Sequence, residues 1–179
     1  KEVMIKFYDD FLPKEEYEKL YNLMTSNSVP WFYTPNITIT EVVKSGLNID
    51  NKAADKNLFY LIHLFYADDR PLSSTYDEFI RPFLYKLKAK TFIRVKANLY
   101  PGQNKLTQHD SHTDYGFEHK AAIYCLNTCD GYTAFKQGEK WEKIDSVANR
   151  LITFDGSIEH ASTDCTNATA RMNINFNYL

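Results

Sequence analysis

The segment "QHDSHTDYG", residues 108–116, concentrates side chains that can bind a metal ion. It places two histidines and two aspartates within six residues, in a chain that has five histidines in total. His112 and Asp114 stand two positions apart, and in extended backbone such side chains point to the same side. The spacing therefore favours His112 and Asp114 as a ligand pair. His109 and Asp110 do not share this relation, and we expect them at the rim.

A third ligand is needed, because two protein groups hold a metal ion poorly. His160 supplies one, in the stretch "FDGSIEHAS" that follows an expected strand and turn. Two histidines and one carboxylate leave positions open on the metal, which is typical of non-haem Fe(II) oxygenases. Zinc bound by the same three groups is the chemical alternative, and the spacing does not separate the two metals.

Two strand-like runs, "FIRVKANLY" and "ARMNINFNYL", carry polar side chains at every second position. These positions are Arg94, Lys96, Asn98, Tyr100, Arg171, Asn173, Asn175 and Asn177. Asparagine disfavours strands, so three of them on one face indicate hydrogen bonding inside a cavity. A sheet with one solvated outer face is the alternative interpretation.

The elements that must position these residues fall into two groups along the chain. The spacing of apolar residues predicts helices over 13–24, 58–65 and 74–88, and His63 on the second of them is expected to be structural. After Lys90, short β-rich runs alternate with turns to the end of the chain. Helices followed by many short strands predict an α+β fold with an antiparallel sandwich or barrel as its main body.

We expect residues 1–179 to form one domain, since this length suits a single hydrophobic core. Residues 1–90 would supply supporting helices, strands and a flap, and residues 91–179 the metal-binding β core. The flap is expected at residues 28–50, where prolines, a glycine and several aromatic residues occur together. It is a candidate cover for a substrate, although its aromatic residues could equally hold it down against the core.

The composition of the chain limits the classes of binding partner and the cellular compartment that we expect. The formal net charge is −2 and no long basic run occurs, so nothing indicates nucleic acid. No stretch approaches twenty apolar residues, and we expect no membrane segment. Three cysteines without a disulfide-framework spacing favour a reducing compartment, which predicts a soluble cytoplasmic protein. The oligomeric state is left open.

Several motifs occur together in a fixed order between residues 91 and 179. They are "LYPGQ", "HTD", "IYCLN", "GYTAF", "RLITFDGSIEH" and "RMNINF". In this combination the chain resembles the 2-oxoglutarate- and Fe(II)-dependent dioxygenases, particularly their prolyl hydroxylase branch. It is also similar to compact hydroxylase-like proteins encoded by marine bacteriophages, which would place it in the cytoplasm of a host cell.

The resemblance implies a double-stranded β-helix, the jelly-roll or cupin-like barrel, flanked by N-terminal helices. It implies that His112, Asp114 and His160 bind Fe(II), and that Arg171, helped by Tyr100, pairs with the distal carboxylate of 2-oxoglutarate. A guanidinium suits that role because its planar fork binds carboxylate oxygens in pairs. Oxygen would be the second cosubstrate, ascorbate could support turnover, and succinate and CO2 would be released.

For the substrate, the resemblance implies a peptide or protein, with proline as the candidate residue. The chain departs from many prolyl hydroxylases at Cys125, where they have a second tyrosine, and at Asn177, where they often have tryptophan. Two alternatives follow. One is an oxygenase acting on a free amino acid or other small molecule. The other is a non-enzymatic cupin-like domain that binds a metal or ligand, which would have no need of a carboxylate-binding Arg171.

Overall fold

The computed structural model describes residues 5–35 and 59–179. Two α-helices occur in these residues, α1 (Lys14–Met24) and α2 (Arg81–Lys86), and a π-helical turn, Tyr76–Ile80, leads directly into α2. The strands are β1 (Lys6–Tyr8), β2 (Phe32–Thr34), β3 (Tyr60–Ala67), β4 (Arg70–Pro71), β5 (Phe92–Pro101), β6 (Lys120–Cys125), β7 (Tyr132–Gln137), β8 (Lys140–Asp145), β9 (Arg150–Asp155), β10 (His160–Ser162) and β11 (Ala170–Tyr178).

The strands form two sheets in which the pairings are antiparallel. The larger sheet has the order β1-β9-β6-β11-β5-β3-β2, with β4 added beside β3, and the smaller sheet has the order β10-β7-β8. Single bridges join Gln108 to Thr163 and His112 to His160, so the segment before Asp114 runs along the free edge of β10. This arrangement is a double-stranded β-helix, as the sequence resemblance predicted.

Alternating side chains of β6 and β11 face two different environments. Their apolar sets, such as Tyr124 and Phe176, pack beneath the helices in a core that also holds Leu20, Met24 and Phe83. On the opposite face, β6 contributes to a second apolar cluster between the sheets, whereas β5 and β11 present polar side chains there. The polar strand faces therefore line a cavity, and the alternative of a solvated outer face is wrong.

Helix α1 follows Pro13, which is well tolerated at a helix start because its missing N–H would have no partner there. Leu20 and Met24 are each 1% exposed and fix the helix on the large sheet. The Tyr17 hydroxyl donates to the carbonyl of Leu126 at 3.0 Å, which ties α1 to the end of β6. The predicted first helix is confirmed.

The predicted helix over 58–65 is wrong, since residues 60–67 form β3. Apart from His63 the run is almost entirely apolar and aromatic, so its spacing fits a helix and a buried strand equally well. Pairing with β5 on one side and β2 on the other decides in favour of a strand. His63 is structural as predicted, because its ring nitrogens bond the Pro30 carbonyl and the Ser73 hydroxyl, each at 2.9 Å.

The helix predicted over 74–88 is present in two pieces, the π-helical turn and α2. Pro82 lies in the first turn of α2, where a proline is accepted. In the predicted flap, only residues 28–35 are described; there Trp31 donates to the Met24 carbonyl at 3.2 Å. Residues 36–50 of the flap lie outside the described residues. Neither α-helix in the described ranges is long and apolar enough to cross a membrane.

Candidate metal and cosubstrate site

The three predicted metal ligands lie together at one end of the cavity. One potential ligand atom from each of His112, Asp114 and His160 lies within 4.8 Å of the others. The backbone brings the two histidines together, because each donates its N–H to the carbonyl of the other at 2.9 Å. A bridge between the 108–112 segment and β10 therefore joins residues that are 48 positions apart in the sequence.

His160 has one ring nitrogen available for a metal. Its Nδ1 lies 3.0 Å from the carbonyl oxygen of Ile158, which can only accept, so Nδ1 carries the proton. The unprotonated nitrogen is then Nε2, which is the form that coordinates metals. Burial lowers the pKa of His160, which keeps the imidazole neutral. Phe154 packs edge-on against the ring at 5.0 Å between centroids and holds its orientation.

Asp114 is held by three side chains from the polar strand faces. Arg94 donates to Oδ1 at 2.9 Å, and Asn177 and Asn175 donate to Oδ2 at 2.8 and 3.2 Å. Burial alone would raise the pKa of Asp114, but its interactions with the neighbouring side chains of His112, His160 and Arg94 and with the Asn177 amide hold it well below its usual range. The carboxylate is thus ionised and oriented before any metal binds. Asn177, a departure from many prolyl hydroxylases, has a definite partner here.

Arg171 lies behind the wall at the other end of the cavity, next to the lining residues Tyr100 and Thr133, and is completely buried. Its guanidinium donates to the Thr163 carbonyl at 3.0 Å and to the Thr133 hydroxyl at 2.8 Å, while Nε finds no partner among the described residues. Within the described parts of the chain no carboxylate forms an ion pair with it. Burying a positive charge without an anion costs free energy. The carboxylate of a bound ligand at this end of the cavity would offset that cost.

Gly131 makes room for the arginine. A Cβ atom at Gly131 would lie 2.6 Å from Cδ of Arg171 and 2.4 Å from the backbone oxygen of Asp164. Both contacts are closer than real Cβ atoms show, and neither neighbour can move freely in this buried position. The glycine in "GYTAF" therefore serves the close approach of β7 to Arg171.

Tyr100 pairs across the strands with Arg171, and its ring centre lies 5.9 Å from the guanidinium carbon. Burial raises the pKa of Tyr100, and this outweighs the opposing influence of Ser162 and Arg171, so the hydroxyl stays protonated at neutral pH and can donate. Its ring stacks on Tyr60, with 5.6 Å between centroids and 11° between planes. The structure thus places Tyr100 beside Arg171, which agrees with the assisting role that the sequence resemblance implies for it.

His109 is buried, and its expected position at the rim is wrong. Its backbone N–H donates to the Ser162 carbonyl at 2.8 Å, which turns the side chain into the cavity wall. Nδ1 bonds the Ser162 hydroxyl at 2.8 Å, and the ring lies 5.2 Å from that of Tyr100. In the part of the chain that the structure describes, Nε2 has no hydrogen-bond partner. Asp110, by contrast, is exposed and lies at the cavity edge as expected.

The burial of His109 has a consequence for stability. Desolvation, reinforced by the charge of Arg171, lowers the pKa of His109 to about 4. In the unfolded chain the group titrates near 6.5, so below that pH the unfolded state binds a proton that the folded state refuses. We expect this histidine to remove roughly 2–3 kcal/mol from the free energy of unfolding of the metal-free protein as the pH falls from about 6.5 to 4.

Urea unfolding of the wild type and of His109→Gln at neutral and acidic pH measures this contribution. Other buried groups, including His160, also destabilise the protein in acid, so the difference between the two proteins is the informative quantity. His109→Gln should lose less stability than the wild type on acidification. An equal loss in both would show that His109 titrates normally in the folded protein.

Solved structures share this fold at low sequence identity. A prolyl-4-hydroxylase from Pseudomonas putida aligns with 99% of this chain and 93% of its own, with a TM-score of 0.64 and 13% identity. An oxidoreductase of the 2OG-Fe(II) oxygenase family from Burkholderia pseudomallei aligns with 98% of this chain and 84% of its own, with a TM-score of 0.65 and 12% identity. The chain has the fold of the 2OG-Fe(II) oxygenases.

A third structure with this oxygenase fold is a prolyl hydroxylase from Trichoplax adhaerens in complex with a hypoxia inducible factor peptide fragment. It aligns with 97% of this chain and 83% of its own, with a TM-score of 0.58 and 17% identity. No protein-family model and no curated protein sequence matches the chain. The fold that the resemblance in the sequence motifs implies is thus confirmed, and the phage origin stays a prediction.

Proposed function

We propose that the chain is an Fe(II)- and 2-oxoglutarate-dependent dioxygenase that hydroxylates a peptide or protein, with proline as the candidate residue. The observation that carries this proposal is the pairing of two features in one cavity. Three potential metal ligands converge at one end, and behind the wall of the other end lies a buried guanidinium to which the described residues bring no anion. A carboxylate-bearing cosubstrate that also binds the metal would satisfy both ends.

In this proposal His112, Asp114 and His160 would hold Fe(II), a ligand set that is typical of non-haem Fe(II) oxygenases. Arg171 binds the distal carboxylate of 2-oxoglutarate, and the hydroxyl of Tyr100 assists. When bound, iron, 2-oxoglutarate and O2 supply the oxidising power for hydroxylation, with release of succinate and CO2. The protein itself contributes ligation and orientation, and Phe135 and Phe154 pack beside His160 and exclude water.

Arg171 also separates this proposal from a non-enzymatic cupin-like domain. A module that only binds a metal would have no reason to bury an arginine completely at the far end of its cavity, because desolvating the charge costs free energy. Zinc remains the chemical competitor for the same three ligands. Turnover distinguishes the metals, since Zn(II) does not change its oxidation state.

Support for a peptide substrate comes from the prolyl hydroxylases among the structural neighbours, one of which holds a peptide fragment. The test is mass spectrometry of a library of proline-containing peptides after incubation with the protein, Fe(II), 2-oxoglutarate and ascorbate. We expect a gain of one oxygen atom, derived from isotopically labelled O2, in the wild type and none with His112→Ala.

A library that stays unmodified while succinate still forms would contradict the peptide substrate and leave the dioxygenase activity standing. Oxidation of free amino acids under the same conditions would favour the small-molecule alternative. Modification that continues in His112→Ala would show that the added oxygen does not come from this site.

A further inference from the structure

The polar faces of β5 and β11 form a ladder of four cross-strand pairs along one wall of the cavity. The pairs are Arg94 with Asn177, Lys96 with Asn175, Asn98 with Asn173, and Tyr100 with Arg171. The first pair holds Asp114 at the metal end, and the last pair belongs to the cosubstrate end. Asn98 and Asn173 bond each other at 2.9 Å. Lys96 is the member of the ladder whose charge serves neither end.

Lys96 is a partly buried cation without an acidic partner. Its Nζ lies 5.6 Å from the ring centre of Tyr60, and no ion pair joins it to a carboxylate in the described residues. Asp114, the nearby acid, is already bonded to Arg94, Asn175 and Asn177. Burial, followed by the charge of Arg94, lowers the pKa of Lys96 to about 8, so most of it remains protonated at neutral pH.

Lys96 lies too far from Arg171 to bind the carboxylate that is expected there. Lys96 lies four residues from Tyr100 along β5, which corresponds to roughly 13 Å of extended strand. It is instead one pair away from Arg94 and Asn177, which hold the metal-ligating carboxylate. In the proposed function the two carboxylates of 2-oxoglutarate are bound by Arg171 and the metal. The ammonium of Lys96 is left for another anion.

We infer that Lys96 binds a carboxylate of the substrate beside the metal ligands, an inference that rests on the proposed function. The neighbouring amides add a second requirement. The Oδ1 atoms of Asn98 and Asn175 are buried without partners in residues 5–35 and 59–179, and they can accept a hydrogen bond from an N–H group. A carboxylate close to an N–H group is found in an amino-acid unit that carries a free α-carboxylate or an acidic side chain. The substrate class is therefore an acidic or C-terminal residue, or an amino acid.

Binding can be tested without turnover, by loading the protein with redox-inert Zn(II) and saturating it with 2-oxoglutarate. The probes are N-acetyl-L-amino acids, each compared with its neutral amide, and blocked aspartate, whose side chain is the carboxylate. Ligand-detected NMR then compares acid with amide. Since hydrogen bonds to charged groups are strong, we expect acids to bind about tenfold more tightly than amides. Binding of the N-acetyl-L-amino acids would indicate a free α-carboxylate, and binding of blocked aspartate would indicate an acidic side chain.

The preference for acids should disappear in Lys96→Met, which keeps the length of the side chain without its charge, and persist in Lys96→Arg. Lys120→Met, a change on the neighbouring β6 outside the cavity, should leave it unchanged. The inference is overturned if acids and amides bind the wild type equally, if no acid binds, or if Lys96→Met keeps the preference.

The affinity for 2-oxoglutarate is also compared between the wild type and Lys96→Met. Lys96→Met should bind Zn(II) and 2-oxoglutarate as the wild type does, because Arg171 and the metal ligands are intact. A loss of 2-oxoglutarate affinity equal to the loss of probe affinity would assign the ammonium to the cosubstrate and overturn the inference. If the wild type itself fails to bind 2-oxoglutarate, the proposed function fails, and this outcome is distinct from a failure at Lys96.

Discussion

Replacing His112 by alanine should lower the affinity for Fe(II) by more than the roughly 10–100-fold that loss of a partner outside the coordination sphere causes. The change removes one of three ligands, and Asp114 and His160 alone leave the metal weakly held. His112 is the most suitable of the three for this test, since 30% of its side chain is exposed, compared with 6% for Asp114. Its removal should therefore disturb the fold little.

Anaerobic titration of the metal-free protein with Fe(II) measures the effect, and circular dichroism verifies that the variant is folded. Asp110→Ala is a matched control, since Asp110 lies at the edge of the same cavity and outside the ligand cluster. It should bind Fe(II) like the wild type. A folded His112→Ala protein with unchanged Fe(II) affinity would remove His112 from the site.

Replacing Arg171 by methionine should weaken 2-oxoglutarate binding by about 100-fold or more while Fe(II) affinity remains near that of the wild type. The size follows from the 2–5 kcal/mol typical for loss of one partner in a buried, hydrogen-bonded charge pair. The metal should be spared because Arg171 pairs with Tyr100, at the opposite end of the ladder from Arg94 and Asn177.

Arg171→Lys separates charge from geometry. Lysine keeps the positive charge but lacks the planar fork, so we expect an intermediate loss of 2-oxoglutarate affinity. Isothermal titration with 2-oxoglutarate on Zn(II)-loaded protein measures all three proteins. Equal losses of metal and 2-oxoglutarate affinity in Arg171→Met would mean that Arg171 supports the whole cavity and has no specific role toward the cosubstrate.

The polar cavity wall could be predicted from the sequence because it depends on a period of two along single strands. The alternation in "FIRVKANLY" and "ARMNINFNYL" states which side chains share a face. The abundance of asparagine on that face indicated that it does not merely contact solvent. What each polar side chain bonds was not predictable in this way. The contacts of Arg94 and Asn177 with Asp114 depend on where the segment after β5 returns to the sheet.

The two wrong predictions, a helix over 58–65 and a rim position for His109, both concern tertiary contacts. The run "LFYLIHLFYA" suits a helix or a buried strand, and its partners β2 and β5 lie far away in the sequence. Local spacing relates His109 poorly to His112 and therefore predicts a position at the rim for it. Its burial follows from the pairing of its segment with β10, which brings it against Ser162 and Tyr100. No local pattern reports such a contact.

The central claim is that one cavity binds Fe(II) through His112, Asp114 and His160 and 2-oxoglutarate through Arg171. Anaerobic visible spectroscopy of the full chain tests it most directly. A weak charge-transfer band should appear only when Fe(II) and 2-oxoglutarate are both present. It should be absent in His112→Ala, and in Arg171→Met it should require a far higher 2-oxoglutarate concentration. A folded wild-type protein that shows no band, and forms no succinate when O2 is admitted, would contradict the account.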